Sequence, residues 1–169
     1  MLRPILKYGD TLLQNTAEPV TEITAEVDAL ARDMIETMYA APGIGLAAPQ
    51  VGVMLRLFVI DLSLGRDPKG LIALINPELT GRDGMQLEEE GCLSLPGYNA
   101  TVARPNRVAV RGLDLSGKEM QLEGEGLLAR AFQHEMDHLE GRVFLDRLRG
   151  IKRDLIVSRI RKQIRNGRW

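Results

Sequence analysis

Hydrophobic residues recur every three or four positions between Thr24 and Ala40, which places them on one side of a helix. Thr24 is suited to cap the first turn of this helix. A second helix is predicted from about Leu127 to Glu140, where Gly141 ends it. A third is predicted over residues 149–169, where isoleucine and leucine alternate with lysine and arginine.

Short apolar runs lie between the first and second predicted helices. They predict four strands, over residues 56–61, 71–75, 107–114 and 119–122. A turn around Ser116 and Gly117 joins the last two. Because the strands cluster between the helices, the expected fold class is α+β with mainly antiparallel sheets. No linker-like segment interrupts the chain, so residues 1–169 are expected to form a single domain with 149–169 as a helical tail.

The formal charge of −1 is distributed unevenly along the 169 residues. From Arg142 to Trp169 there are ten basic and two acidic residues, so this segment carries +8 and the preceding residues carry −9. A cationic helix with one partly covered apolar side suits a polyanionic surface. A solvated basic face without a partner is the alternative, and no sequence-specific reading of nucleic acid is expected.

No apolar run approaches the ~20 residues that span a bilayer, and no secretory or transit signal is recognisable at the amino terminus. The expected location is therefore the cytosol, without membrane contact. Cys92 is the only cysteine, which excludes an internal disulfide and fits a reducing compartment.

The only two histidines of the chain, His134 and His138, form the motif H-E-x-x-H with Glu135. On a helix, positions four apart share one side, so both imidazoles can bind one divalent metal while Glu135 reaches a water beside it. Two histidines that only pack or hydrogen-bond are the alternative. The motif predicts a hydrolytic metal centre.

A catalytic centre of this type has three protein ligands and one open position, so a third ligand is needed. Cys92 is the candidate. It lies in E-G-C-L-S-L-P-G, whose glycines and proline predict a strand that leads into a turn. A single cysteine is more often a small buried hydrophobe. The H-E-x-x-H motif favours the ligand interpretation.

The segment Gly43–Gln50 is rich in small residues and follows the first predicted helix. Small residues let the backbone approach a ligand closely, and Gln50 can donate a hydrogen bond without competing for a metal. The segment lacks the G-x-G-x-x-G spacing and the Walker lysine, so it does not predict a phosphate site.

Taken together, Gly43–Gln50, Glu90–Ser94 and Gln133–Leu139 resemble the bacterial type of the peptide deformylase family, whose motifs are G-x-G-L-A-A-x-Q, E-G-C-L-S and Q-H-E-x-D-H-L. Leu2–Leu6 and Val102–Pro105 are similar to that family too, so the resemblance covers essentially the whole chain. It implies sheets packed around a central helix that carries H-E-x-x-H. It also implies a hydrolase that releases formate from the N-formyl-methionine of newly made proteins.

The resemblance implies that Cys92, His134 and His138 bind one divalent metal. Fe(II) is the ion that the family favours, and Zn, Ni or Co are chemically admissible with one sulfur and two nitrogen ligands. The family also implies that the basic tail contacts the ribosome near the nascent-chain exit.

Catalytic roles are implied for three further residues. Glu135 would transfer protons, while the Gln50 side chain and the Leu93 backbone N–H would stabilise the substrate oxygen. The main chain of Gly45 would align the substrate peptide.

The methionine side chain requires an apolar and adaptable pocket, for which Ile44 and Leu127 are expected walls beside the His134 ring. Arg130 stands where many bacterial members have an aliphatic residue. Its stem could line the pocket while its guanidinium reaches Glu88 or Glu90, and Glu90 is included among the substrate-binding candidates.

Two other functions fit parts of the pattern. A zincin-type metallopeptidase shares the glutamate-driven attack of water, but its third ligand follows H-E-x-x-H, whereas Cys92 precedes it. A ribosome-associated module with a structural metal would need a fourth ligand, and the chain has no further cysteine or histidine. A deformylase-like chain without activity is disfavoured by the intact Glu135 and Gln50.

Overall fold

Seven strands and three helices make up the computed structural model, which describes all residues from 1 to 169. The helices are α1 (Ala25–Ala40), α2 (Leu127–Leu139) and α3 (Ile151–Arg165). The strands are β1 (Gly45–Ala47), β2 (Leu57–Ile60), β3 (Ile72–Asp83), β4 (Gln86–Gly91), β5 (Asn99–Arg104), β6 (Arg107–Leu113) and β7 (Glu119–Glu125). Short 3₁₀ turns cover Thr11–Gln14, Ala48–Val51 and Phe144–Arg147.

All strand pairs are antiparallel. Five strands form one sheet in the order β1-β2-β3-β6-β7, and β4 and β5 form a second sheet. The predicted α+β class with antiparallel sheets is therefore confirmed.

The two faces of the larger sheet are covered by different helices, and β2 shows why. All four of its residues are buried, and successive side chains point to opposite faces. Phe58 and Ile60 belong to a hydrophobic cluster that includes Phe132 of α2. Leu57 and Val59 belong to a second cluster with the apolar side of α1. Helix α2 thus lies on one face of the sheet, with its histidines close to the end of β4.

Helix α1 begins as the sequence predicts, because the Val27 N–H donates to the Thr24 side chain at 3.3 Å. The predicted strands 56–61 and 107–114 correspond to β2 and β6. Strands β3 and β7 extend beyond their predicted ends at residues 75 and 122.

Strands β1, β4 and β5 were not delimited by the hydrophobic pattern. Strand β1 has only three residues, which is too short for a period to be visible. Strand β4 carries the acidic run Glu88–Glu90 with only one buried residue. Its expected end is nevertheless confirmed, since β4 stops at Gly91 and Cys92 begins a turn.

Helix α3 covers the smaller sheet. Val157 and Ile160 are buried in a cluster with Leu95, Val102 and Phe144. The tail helix is thus held against the rest of the chain, and its apolar side is only partly covered: Ile151 and Leu155 are 74% and 50% exposed. None of the helices combines the length and hydropathy needed to cross a bilayer.

Two residues other than glycine have a positive φ, Leu64 at 55° and Asn76 at 51°. Asn76 is compensated, because its side chain accepts from the Val20 N–H and donates to the Val20 carbonyl, both at 2.8 Å. For Leu64 the left-handed conformation costs about 1–2 kcal/mol.

Gly141, which ends α2, tests the packing at this helix terminus. It has a φ of 73°, and a Cβ built there would lie 2.5 Å from the Gln14 carbonyl oxygen. We expect Gly141→Ala to lower the free energy of unfolding by about 3 kcal/mol, because the main chain at Gly141 or Gln14 must move to make room for the methyl group. Urea unfolding at matched metal content measures this.

Gly117→Ala is the matched control. Gly117 has a φ of 86°, but its Cβ would meet only Ile23 at an ordinary 3.7 Å. The loss in free energy of unfolding for Gly117→Ala should be about 1 kcal/mol, which is the strain of the left-handed conformation alone. Equal losses in the two variants would contradict the packing argument.

Candidate active site

Helix α2 presents His134, Glu135 and His138 from its buried side. The two imidazoles are one helical turn apart, and their ring centroids are separated by 5.0 Å. The glutamate follows the first histidine, so its side chain projects beside them from the same helix.

Cys92 reaches this group from the turn after β4. Its Sγ lies 3.3 Å from Nε2 of His138. One ligand atom from each of Cys92, His134 and His138 lies within 4.8 Å of the others. One sulfur and two nitrogens at this spacing fit a single divalent transition metal with an open coordination position.

The carboxylate of Glu135, beside this centre, is deeply buried. One carboxylate oxygen of Glu135, Oε2, is buried without a hydrogen-bond partner. Burial raises the pKa of Glu135 to about 7, so its carboxylate can gain and lose a proton near neutral pH. A Cβ at Gly45 would lie 2.6 Å from Glu135 Oε1, so only glycine allows β1 to pass this close.

Gln50 and Leu93 carry hydrogen-bond donors close to Cys92. The Ala47 N–H donates to Gln50 Oε1 at 3.0 Å, which orients the amide. Its Nε2 then donates to Ser94 Oγ at 3.0 Å and lies 3.7 Å from Cys92 Sγ. The Leu93 N–H makes no hydrogen bond within the chain.

Glu90 is the centre of a buried charge network. Arg104 donates to both of its oxygens, at 2.6 and 2.8 Å, and Arg130 donates to Oε2 at 2.6 Å. Nδ1 of His134 lies 2.5 Å from Oε1. Burial alone would raise the pKa of Glu90, but the hydrogen bonds from Arg104 and His134 hold it well below its ordinary value.

The same network orients His134. Because Nδ1 faces Glu90, Nε2 is the nitrogen available for a metal. Burial favours the neutral ring, yet the neighbouring Cys92 and Glu90 raise the pKa of His134 well above its usual value. Burial and the charge of His134 lower the pKa of His138.

A cavity of about 720 Å³ opens in front of these groups. Every predicted site residue except His138 lines it, including the expected pocket walls Ile44 and Leu127. His138 is almost completely buried, and its ring centroid lies 5.0 Å from that of His134. The rim includes Pro42 and Leu64.

Glu90, an expected substrate contact, lines the cavity, but its carboxylate is engaged by the protein itself. Both of its oxygens are taken by Arg104, Arg130 and His134, so the structure uses this carboxylate to hold protein groups. Arg130 reaches Glu90, one of its two expected acids, and not Glu88. Its guanidinium also donates to the Val102 carbonyl at 2.7 Å.

Sequence reasoning missed Arg104, Asp137 and Ser94. Arg104 donates to Asp137 at 3.0 Å, and Asp137 also accepts from Arg147. Asp137 lies within the H-E-x-x-H motif itself, so an acid one turn after His134 was a visible signal. Arg104 lies in Val102–Pro105, which resembles the family, but its role was not visible because its partners lie 14 and 33 residues away.

Three converging side chains of metal-binding type, a buried carboxylate and two hydrogen-bond donors around one cavity define a metal-dependent hydrolase. Comparisons with known proteins identify the family to which this hydrolase belongs. The polypeptide deformylase family model matches residues 2–154. A peptide deformylase from Acidobacterium capsulatum is 55% identical over 169 residues, covering 100% of this chain and 99% of its own.

Comparison with solved structures points to the same family. A peptide deformylase from Legionella pneumophila superimposes with a TM-score of 0.92 at 44% identity, covering 99% of this chain and 98% of its own. One from Thermus thermophilus gives 0.88 at 42% identity, covering 99% and 98%. The chain belongs to the polypeptide deformylase family, as the sequence motifs predict. The metallopeptidase and structural-metal alternatives are not favoured.

The buried network should dominate the stability of this region. Arg104→Met leaves Glu90 and Asp137 short of a buried cationic partner, so we expect a loss of about 3–5 kcal/mol in the free energy of unfolding. Denaturant unfolding measures the loss.

Arg111→Met is the control, because Arg111 also pairs with a carboxylate, that of Glu78, at 2.8 Å. Both side chains are more than half exposed, and such pairs contribute about 0–1 kcal/mol. A similar loss in both variants would show that burial of the network is not what matters.

Proposed function

We propose that Cys92, His134 and His138 hold one divalent metal and that the chain uses it to remove the formyl group from N-formyl-methionyl peptides. The observation that carries this is the convergence of the three ligand atoms within 4.8 Å, beside the unpartnered carboxylate oxygen of Glu135. Fe(II) is the ion we propose, with Zn, Ni or Co able to replace it.

Glu135 is the proton carrier in this proposal. A bound metal would supply a Lewis acid and lower the pKa of the attacking water. Glu135 takes the proton from that water and delivers it to the amine nitrogen as the C–N bond breaks, which gives formate and a free amino terminus. Its pKa of about 7 suits both transfers.

The formyl oxygen becomes anionic when the carbon is attacked, and two donors are positioned for it. Gln50 Nε2 is held in place by Ala47, and the Leu93 N–H is free. The loss of one such donor typically costs about 3–4 kcal/mol in the activation barrier.

Substrate binding uses the cavity. We propose that the methionine side chain lies against Ile44, Leu127 and the His134 ring, all of which line it. The main chain of Gly45 pairs with the peptide, since β1 is the edge strand of its sheet. Residues 1–169 act as one catalytic unit in this arrangement.

The roles of ligand and base are separable by mutation. We expect Glu135→Ala to retain the metal and lose formate release from formyl-Met-Ala by about 10³-fold or more, because only the proton carrier is removed. His138→Ala and Cys92→Ala should lose the metal itself. Anaerobic purification, metal analysis and a formate assay measure both.

Unformylated Met-Ala-Ser serves as the control substrate. Its cleavage by the wild-type protein would favour a peptidase over a deformylase. Loss of metal from Glu135→Ala would contradict the proposed division between ligand and base.

We also propose that α3 contacts the ribosome, which places the chain in the bacterial cytosol. The only ion pair among the basic residues of α3 joins Arg153 to Asp154. Five other basic side chains are exposed and unpaired: Lys152, Arg159, Arg161, Lys162 and Arg165. Phosphates of ribosomal RNA would offset this charge.

Charge reversal tests this contact without removing the buried residues Val157 and Ile160. A triple variant with Arg159, Arg161 and Arg165 changed to glutamate should bind ribosomes at least tenfold more weakly, with a shallower salt dependence. Turnover of formyl-Met-Ala should not change.

The control variant changes Arg66, Lys69 and Arg82 to glutamate. These residues are exposed and distant in sequence from α3, and the net charge changes by the same amount. Ribosome cosedimentation at several salt concentrations compares the two variants. Equal weakening in both would contradict a specific role for α3.

A further inference from the structure

We propose that Leu64 determines substrate specificity by contacting an apolar side chain of the formylated peptide downstream of methionine. This inference rests on the proposed function. It is drawn from the position of Leu64 on the cavity rim, from its backbone conformation and from the way its loop is held.

Leu64 lines the same cavity as the proposed metal ligands Cys92 and His134. Its loop directly follows β2, and Ile60 of β2 pairs with Gly45 of β1. The Asp61 N–H donates to the Ile44 carbonyl at 2.9 Å, so the loop starts beside the strand that lines the cavity. Leu64 and Pro42 both line the cavity.

Packing within the chain does not explain this leucine. Leu64 is 41% exposed and belongs to none of the three hydrophobic clusters. Its φ of 55° is unfavourable for a leucine, and glycine or asparagine would adopt it more readily. A residue that is both strained and exposed contributes little to folding.

The loop nevertheless fixes Leu64 firmly. The carboxylate of Asp61 is fully buried and accepts from the N–H groups of Ser63 at 2.8 Å and Gly65 at 3.0 Å. Tyr39, near the end of α1, donates its hydroxyl to the same carboxylate at 2.5 Å. Both neighbours of Leu64 are therefore anchored, and the strained conformation cannot relax.

Strained residues persist where their surroundings over-determine them, and they concentrate at ligand-binding sites. A peptide paired with β1 rises about 3.3 Å per residue, so its later side chains pass the rim in turn. An apolar side chain there would cover the exposed part of Leu64, whereas a carboxylate would lose hydration against it.

Formyl-Met-Ala and formylated tetrapeptides carrying leucine or aspartate at position two, three or four are the substrates of the test. For Leu64→Asn, we expect the ratio of kcat/KM between leucine and aspartate peptides to fall at least fivefold at one position, through KM. The loss should be larger for the leucine tetrapeptides than for formyl-Met-Ala, and Tm should not fall because asparagine tolerates the conformation.

Leu64→Met should retain the preference, since its side chain stays apolar. Leu62→Asn is the matched control, because Leu62 is 36% exposed in the same loop but does not line the cavity. An unchanged ratio in Leu64→Asn, an equal loss on formyl-Met-Ala, a lowered Tm or the same effect from Leu62→Asn would each overturn the proposal. No formate release by the wild-type protein would instead refute the proposed function.

Discussion

A single buried carboxylate, that of Glu90, holds the two parts of the active site together. It belongs to β4, and it is bound by Arg104 of β5 and by Arg130 and His134 of α2. A buried charge is stable only when it is paired, so the smaller sheet must meet α2 in the one register that satisfies these groups. That register places Cys92, two residues further on, beside His138.

The remaining site follows from this alignment. Polar atoms that a folded chain normally pairs are left without partners in this site: Glu135 Oε2 is buried without one, and the Leu93 N–H makes no hydrogen bond within the chain. Unpaired buried groups cost stability, and the ordered network around Glu90 offsets that cost a few residues away. Groups aimed in advance at a substrate need little reorganisation during the reaction, which is the main benefit of such an arrangement.

Elements with a clear period were predictable from the sequence. Helices α1 and α2 and the strand near 107–114 are predictable because one side of each is apolar, and the strand near 56–61 is predictable because it is a continuous apolar run. The candidate metal ligands Cys92, His134 and His138 are predictable because few residue types bind a metal and the H-E-x-x-H spacing places two of them on one side of a helix. Strand β4 and the partners of Arg104 were not, since their positions depend on pairings between residues 14 to 44 apart that no local pattern records.

Arg130 shows why residue type alone is a poor guide to a pocket. A charged residue among apolar walls suggests a polar site, yet its guanidinium is bound by Glu90, by the Val102 carbonyl and by Gln86 Oε1 at 3.0 Å. All of these partners lie in the smaller sheet, so the charge is bound within the protein and is not free in the open cavity. The aliphatic stem is the part left to line it. The pocket can thus remain suited to methionine while the same side chain strengthens the network that positions His134.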